Sequence, residues 1–284
     1  FMSQTASLPT TEDTFTGKDG LAIFYRSWPA PGSPKAVVVI CHGFNAHSGQ
    51  YAWAAAQLNA AGFAVFAADL RGRGQSQGER FYVEDIGDYV ADLAGMIAIA
   101  RERHPGLPVF VLGHSAGGVT GAVYALDHQS EIAGFICESF AFQVPAPGFV
   151  IAAIRGVSHV APHLPILKLA NKDFSRDPDV VAALDGDPLI TNETQPAMTV
   201  AALSRADLRL NDSFGQITVP LLILHGTEDH ATVCKGSEYF LDHAGSADKT
   251  LKLYEGHYHD LLADIGRETV MADIVAWLDA RVPA

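Results

Sequence analysis

Ser115 sits in the stretch Val109–Gly118, VFVLGHSAGG, with Gly113 two places before it and Gly117 two places after. The apolar run ahead of it reads as a buried strand and the small residues behind it as a helix. A serine at such a junction is the G-x-S-x-G pattern in the context that pattern requires. Two glycines let the turn close sharply and raise the hydroxyl above the carboxyl edge of a sheet. The helix starting at Ala116 sets free amides and a partial positive charge beneath it. That arrangement suits a nucleophile.

A hydroxyl attacks poorly without a base, and the base needs an acid to orient it. Two later strand ends offer both, in the order that follows such a serine. LLILHGTEDH presents Glu228 and Asp229; the HGxxD spacing carries Asp229 past the turn that closes the strand and leaves Glu228 pointing elsewhere. LKLYEGHYHD presents His257 and His259, flanked by Glu255 and Asp260, and spacing alone leaves both histidines open. His114 and His230 read as structural neighbours. A tetrahedral oxyanion then needs amide donors, each worth roughly 3–4 kcal/mol of barrier. Ala116 N–H is one; the other is Phe44 N–H, just after the glycine in HGFNAHSGQY.

Strands and helices alternate around these residues. Leu21–Trp28, Ala36–Gly43, Phe63–Asp69, Ile132–Ser139, Pro220–Gly226 and Lys249–Gly256 read as strands, with a turn at Asp19-Gly20 before the first. Helical patterns fill Tyr51–Ala61, Val83–Arg103, Ala116–His128, Lys235–Ala244 and Arg267–Arg281. In Val83–Arg103, Asp85, Asp88 and Asp92 are expected on a polar face and Ile86, Val90, Leu93 and Ile97 on an apolar one. Such alternation implies parallel βαβ units, hence an α/β fold with a mostly parallel central sheet. The rhythm breaks over residues 140–210, which hold Pro145, Pro147, Pro162, Pro165, Pro178, Pro188 and Pro196 and no convincing strand. Its run GFVIAAIRGVSHVAPHLPILKLA is apolar for a segment outside a sheet, and it is expected to pack over a cleft as a helical cap. Residues 1–139 and 211–284 then form the core.

The bulk numbers exclude some classes. The 284 residues are 48% hydrophobic and 18% charged, with no apolar run long enough to span a bilayer. A net charge of −13 argues against nucleic acid, which needs a basic patch. Three cysteines, Cys41, Cys137 and Cys234, are too few for a disulfide framework and lack metal-site spacing, which fits reduced thiols in a cytoplasmic setting. Phe1-Met2 reads as a scar ahead of the natural start, and SQTASLPTTEDTF lacks the features of a signal peptide.

HGFNAHSGQY, ADLRGRGQSQG, GHSAGG, DPLI, LLILHGTEDH and KTLKLYEGHYH together resemble the monoacylglycerol lipases and lysophospholipase-like serine hydrolases, from about Phe15 to Val282. The resemblance implies the α/β-hydrolase fold, Ser115 as nucleophile, Asp229 as acid, His259 rather than His257 as base, and Phe44 and Ala116 as the oxyanion hole. The reaction carries over with the resemblance; the substrate, set by the cap where the chain is least alike, does not. The leading reading is hydrolysis of a lipid-like monoester, a monoacylglycerol or lysophospholipid, with no cofactor and no metal implied. Peripheral membrane contact through the cap accompanies that reading. The chain departs from many relatives at Ala116, where they carry methionine, and Phe44 would press on an acyl chain. The loop DLRGRGQSQG reads as a support beneath the site, with Arg71 and Arg73 as alternative attractors of anionic head groups. Other capped hydrolases (a carboxylesterase, an aminoacyl peptidase, a lactonase) and a non-catalytic ligand receptor on the same fold are the rival readings.

Overall fold

Ala36–Cys41, Val109–His114 and Leu221–Gly226 carry apolar side chains at successive positions because each strand is covered on both faces. The computed structural model describes residues 9–143 and 146–283; Phe1-Met2, the polar stretch through Leu8, and Pro145 lie outside the described residues. In chain order the strands are β1 (Thr11–Thr16), β2 (Ala22–Trp28), β3 (Ala36–Cys41), β4 (Phe63–Ala68), β5 (Val109–His114), β6 (Gly134–Glu138), β7 (Pro165–Leu167), β8 (Gln195–Pro196), β9 (Leu221–Gly226) and β10 (Lys249–Tyr254). The helices are α1 (Ala52–Ala60), α2 (Ile86–Arg103), α3 (Ala116–His128), α4 (Gly148–Val160), α5 (Pro178–Asp185), α6 (Ala197–Ser213), α7 (Cys234–His243) and α8 (Arg267–Asp279).

One sheet runs β1-β2-β4-β3-β5-β6-β9-β10, antiparallel at β1–β2 and β2–β4 and parallel from β4 onward. Val37, Val39, Val111 and Ile223 share the face packed by α2, α3 and α7, while Val38, Ile40, Leu112 and Leu222 share the face packed by α1 and α8. Each such side chain, fully buried, contributes about 1.5–3 kcal/mol. From β3 the chain steps to β4 on one side, then crosses back to β5 on the other. The crevice at that reversal lies beyond the carboxyl ends of β3 and β5, where ligands of open α/β sheets bind. Phe44 and Ser115 follow those two strands.

Most expected elements are present, and α3 spans the predicted residues. β1 was not foreseen: TEDTFT is polar and largely exposed, and it becomes a strand only because β2 supplies a ladder. Its charges, like Lys249 and Lys252 on β10, blunt the sheet's edges. Asp92 corrects the predicted polar face of α2, being fully buried. It holds the guanidinium of Arg71 through Oδ1 at 2.8 Å, which is why a carboxylate sits on an inward position. Arg71 and Arg73 are both committed to buried carboxylates, Asp92 and Glu193, so neither is free for a head group. Within residues 140–210 a short ladder, β7 against β8, stands beside the helices where no strand was expected. The boundary at 210 falls inside α6.

Candidate active site

Ser115 occupies φ 57°, ψ −120°, a strained conformation for a residue with a Cβ. Its neighbours enforce it. A Cβ at Gly117 would lie 2.1 Å from the carbonyl oxygen of Cys41, and one at Gly113 would lie 2.5 Å from that of Gly117, so β3, β5 and α3 meet too closely for side chains. Ser115 N–H donates to Glu138 O at 2.9 Å, tying the turn to β6. Among the described residues its Oγ has no hydrogen-bond partner, and it faces a small cavity shared with Phe44, Ala141, Leu203 and Thr232.

Asp229 and His259 come together at the ends of β9 and β10. His259 Nδ1–H donates to Asp229 Oδ2 at 2.8 Å, with side-chain exposures of 0% and 1%. Asp229 Oδ1 accepts from the amides of Ala231 (2.8 Å) and Thr232 (2.9 Å), and Oδ2 also takes Thr232 Oγ1–H at 2.8 Å. Burial would raise this carboxyl, but His259 and His225 outweigh it by charge and hydrogen bonding and hold it well below the usual carboxylate range. With Nδ1 protonated, His259 Nε2 carries the lone pair; it is buried and without a hydrogen-bond partner among the described residues. The hydrogen bond to Ser115 Oγ is therefore not made here, as is common before substrate binds.

His259 is nonetheless held close to the turn that carries Ser115. The main-chain oxygen of His259 accepts from Ser139 Oγ (2.5 Å) and from Nε2–H of His114, the residue before Ser115, at 3.2 Å. The rings of His114 and His259 are 4.8 Å apart, and Phe174 packs edge-on against His259 at 4.9 Å. His257 lies elsewhere, its main-chain oxygen taking Glu228 N–H at 3.0 Å and its ring 4.0 Å from Asp264. Glu228 is exposed, and so is His230.

The loop after β3 approaches the serine closely. A Cβ at Gly43 would lie 2.9 Å from Ser115 Cβ and 3.1 Å from Ala116 N. His42 Nδ1–H donates to Gly43 O at 2.8 Å, and its Nε2 accepts from Leu70 N–H at 3.0 Å. Burial, ahead of every other influence, lowers His42 to about 4, so it is neutral and can play both parts. Because a trans peptide points its C=O and N–H oppositely, fixing the Gly43 carbonyl also fixes Phe44 N–H. Neither Phe44 N–H nor Ala116 N–H meets an acceptor among the described residues.

Three contributors escaped sequence reasoning. His42 and His225 each end an apolar strand with a polar side chain, the one signal that could have exposed them. His225 is fully buried, its Nε2 lies 3.1 Å from Asp229 Oδ2, and its Nδ1 hydrogen-bonds with Ser237 Oγ at 2.7 Å. Glu138 is the third. Its Oε2 is buried and unpartnered, and with His114 and Asp260 it forms a cluster whose ligand atoms lie within 4.8 Å of one another. Both His114 nitrogens are engaged, by the His259 carbonyl and by Tyr51 at 3.4 Å, so the cluster holds the backbone rather than offering a coordination sphere.

Burial, with Asp260 adding and His114 opposing, pushes Glu138 up to about 7. The folded chain thus keeps a proton that the unfolded chain releases near the ordinary carboxylate value. Stability from this group is complete below about pH 4.5 and is lost as pH rises through about 7. Glu138→Gln should accordingly come close to the parent's Tm at pH 5 and clearly exceed it at pH 8.5. Thermal melts of both proteins across that range check this, and parallel Tm curves would refute it.

Beyond the small cavity at Ser115 lies a larger one of about 370 Å³, lined mainly by apolar residues such as Ile154, Ile166, Leu167 and Val200, with Lys168, Asp173 and His230 as polar lining. Leu167, Leu169 and Ala231 line both, so Ser115 opens onto a largely apolar space walled mainly by residues 146–200.

A family model described as Hydrolase_4, serine aminopeptidase S33, matches residues 32–266. The chain is 33% identical over 270 residues to the monoacylglycerol lipase of Mycolicibacterium smegmatis, covering 94% of this chain and 96% of that one. It is 34% identical over 268 residues to human monoglyceride lipase, covering 93% and 88%. The crystal structure of Paleococcus ferrophilus monoacylglycerol lipase superposes with a TM-score of 0.80 at 28% identity, covering 96% of this chain and all of that one. These agree with the resemblance carried by the motifs.

Proposed function

We propose, because the chain belongs to the Hydrolase_4 family of serine aminopeptidase S33 type, that it is a serine hydrolase cleaving lipid-like monoesters, with monoacylglycerols as the preferred class. The observation that carries the reading is the buried Asp229–His259 pair, its Nε2 lone pair uncommitted, behind a strained serine that opens onto a largely apolar cavity. His259 Nε2 takes the proton of Ser115 as Oγ bonds to the ester carbonyl carbon. The charge on the carbonyl oxygen falls between the N–H groups of Phe44 and Ala116. His259 returns the proton to the leaving alkoxide, the C–O bond breaks and an acyl-serine remains. Water, deprotonated by the same nitrogen, then releases the fatty acid and restores the hydroxyl.

Residues 140–210 act in this reading as the cap, which supplies most of the acyl wall. No helix among the described residues is long and apolar enough to cross a membrane. Phe149 is 77% exposed and Val160 87%. These apolar surfaces support transient contact of the cap with a lipid surface.

The test is a chain-length series of glycerol monoesters beside lysophosphatidylcholine and aminoacyl anilides, with a vesicle-binding arm. Medium- or long-chain glycerol monoesters should give the highest kcat/KM, and vesicles should retain the protein. Preferential cleavage of anilides would replace the reading with a peptidase. No turnover of any substrate would leave a receptor.

A further inference from the structure

Glu193 belongs to the segment outside the main sheet, yet its carboxylate is spent on the core loop that bears Phe44. Oε1 accepts the main-chain N–H of Asn45 at 3.0 Å, the Arg73 guanidinium, and Nε2 of Gln195 at 2.7 Å. Both partners of the ion pair are 1% exposed. Arg73 is held in turn by Gln195 Oε1 (2.7 Å) and Tyr89 OH (3.0 Å), and its guanidinium lies 4.5 Å from the centre of the Phe44 ring. Asn45 takes a left-handed φ of 52° and donates Nδ2–H to Asn171 Oδ1 at 2.9 Å.

An ion pair this deeply buried is weak evidence for stability, since well-packed apolar residues of similar volume would serve as well or better. What it does here is local. His42 fixes the peptide before Phe44 by its carbonyl, while Glu193 fixes the peptide after it by its N–H. Phe44 is thereby held from both sides, and its own N–H has no freedom to rotate away. We infer that Glu193 is a positioning residue for the Phe44 amide, so that the segment carrying it must be docked for the oxyanion hole to be complete. The inference rests on the proposed reading, in which that amide meets the developing charge. It concerns a residue outside the serine, acid and histidine.

Two double variants isolate the hydrogen bond from the charge. Arg73→Met/Glu193→Gln removes both charges and keeps an acceptor for Asn45 N–H; Arg73→Met/Glu193→Leu removes the acceptor as well. On a short-chain aryl ester the glutamine double should keep kcat within about threefold of the parent. The leucine double should lose on the order of 30- to 100-fold in kcat, with KM changed less than about twofold. Labelling of Ser115 by a fluorophosphonate should slow in the same proportion. If the leucine double fails to fold, Arg73→Met/Glu193→Ala reads the same split. Equal kcat in the two doubles, or a loss confined to KM, overturns the inference while leaving the proposed function standing. A parent chain that neither labels nor cleaves any ester overturns both.

Discussion

Ser115→Ala should lower kcat toward every ester the parent cleaves by on the order of 10⁴-fold or more, with Tm within about 2 °C of the parent. The size of the loss follows from the absence of any substitute. Among the described residues lining the cavity at the serine turn, the only other hydroxyl is that of Thr232, whose oxygen is already turned toward the carboxylate at 2.8 Å. The neutral effect on stability follows from what Oγ does in the fold. It has no hydrogen-bond partner among the described residues, so removing it orphans nothing, and alanine keeps the Cβ and hence the same left-handed strain. Ser115→Gly sharpens the contrast. It should be as inactive as alanine, yet more stable by about 1 kcal/mol because glycine adopts φ 57° without penalty. Kinetics, fluorophosphonate labelling and melting curves on the three proteins check both statements. Residual turnover within tenfold of the parent in Ser115→Ala would move the nucleophile elsewhere.

Much of this architecture is legible because it obeys local rules. Continuous apolar runs ending in glycine mark strands covered on both faces, and the small-residue helix after Ser115 begins and ends where its composition says. The triad candidates are legible because strand ends are punctuated by glycine, HG before Asp229 and EG before His259. What escapes is whatever depends on a partner far along the chain. β1 is a strand only through β2. Asp92 reads as one more acid on a helix face until Arg71, from the loop after β4, reaches it. Glu193 lies in the proline-rich segment, and nothing local announces that it closes on Asn45 or pairs with Arg73. Polar groups inside a protein are justified by their partners, and partners are set by tertiary structure.

The same dependence on partners gives the second large effect. Asp229→Asn replaces one oxygen by an amide nitrogen, and the local hydrogen bonds decide which. Oδ1 is held by the amides of Ala231 and Thr232, which require an acceptor. The asparagine carbonyl therefore stays there, and its NH₂ group is forced into the place of Oδ2, facing His259 Nδ1 at 2.8 Å and His225 Nε2 at 3.1 Å. A donor facing Nδ1 fixes the other imidazole tautomer, with the proton on Nε2. That nitrogen then has no lone pair with which to take the proton of Ser115. Activity at neutral pH should fall about 10⁴-fold with the fold intact, as expected for a base held in the wrong tautomer. Glu228→Gln next door should stay within about twofold, because that side chain is exposed. In the parent, the Asp229 carboxyl is held well below the usual range by His259 and His225 despite its burial. It therefore stays ionised throughout the acid side of the pH–rate profile, and activity lost there cannot be assigned to it. The measurement is kcat of the three proteins at pH 7 with melting curves alongside. An asparagine variant within tenfold of the parent would show that this carboxylate does not set the tautomer of His259, and the acid would have to be sought elsewhere around the cavity.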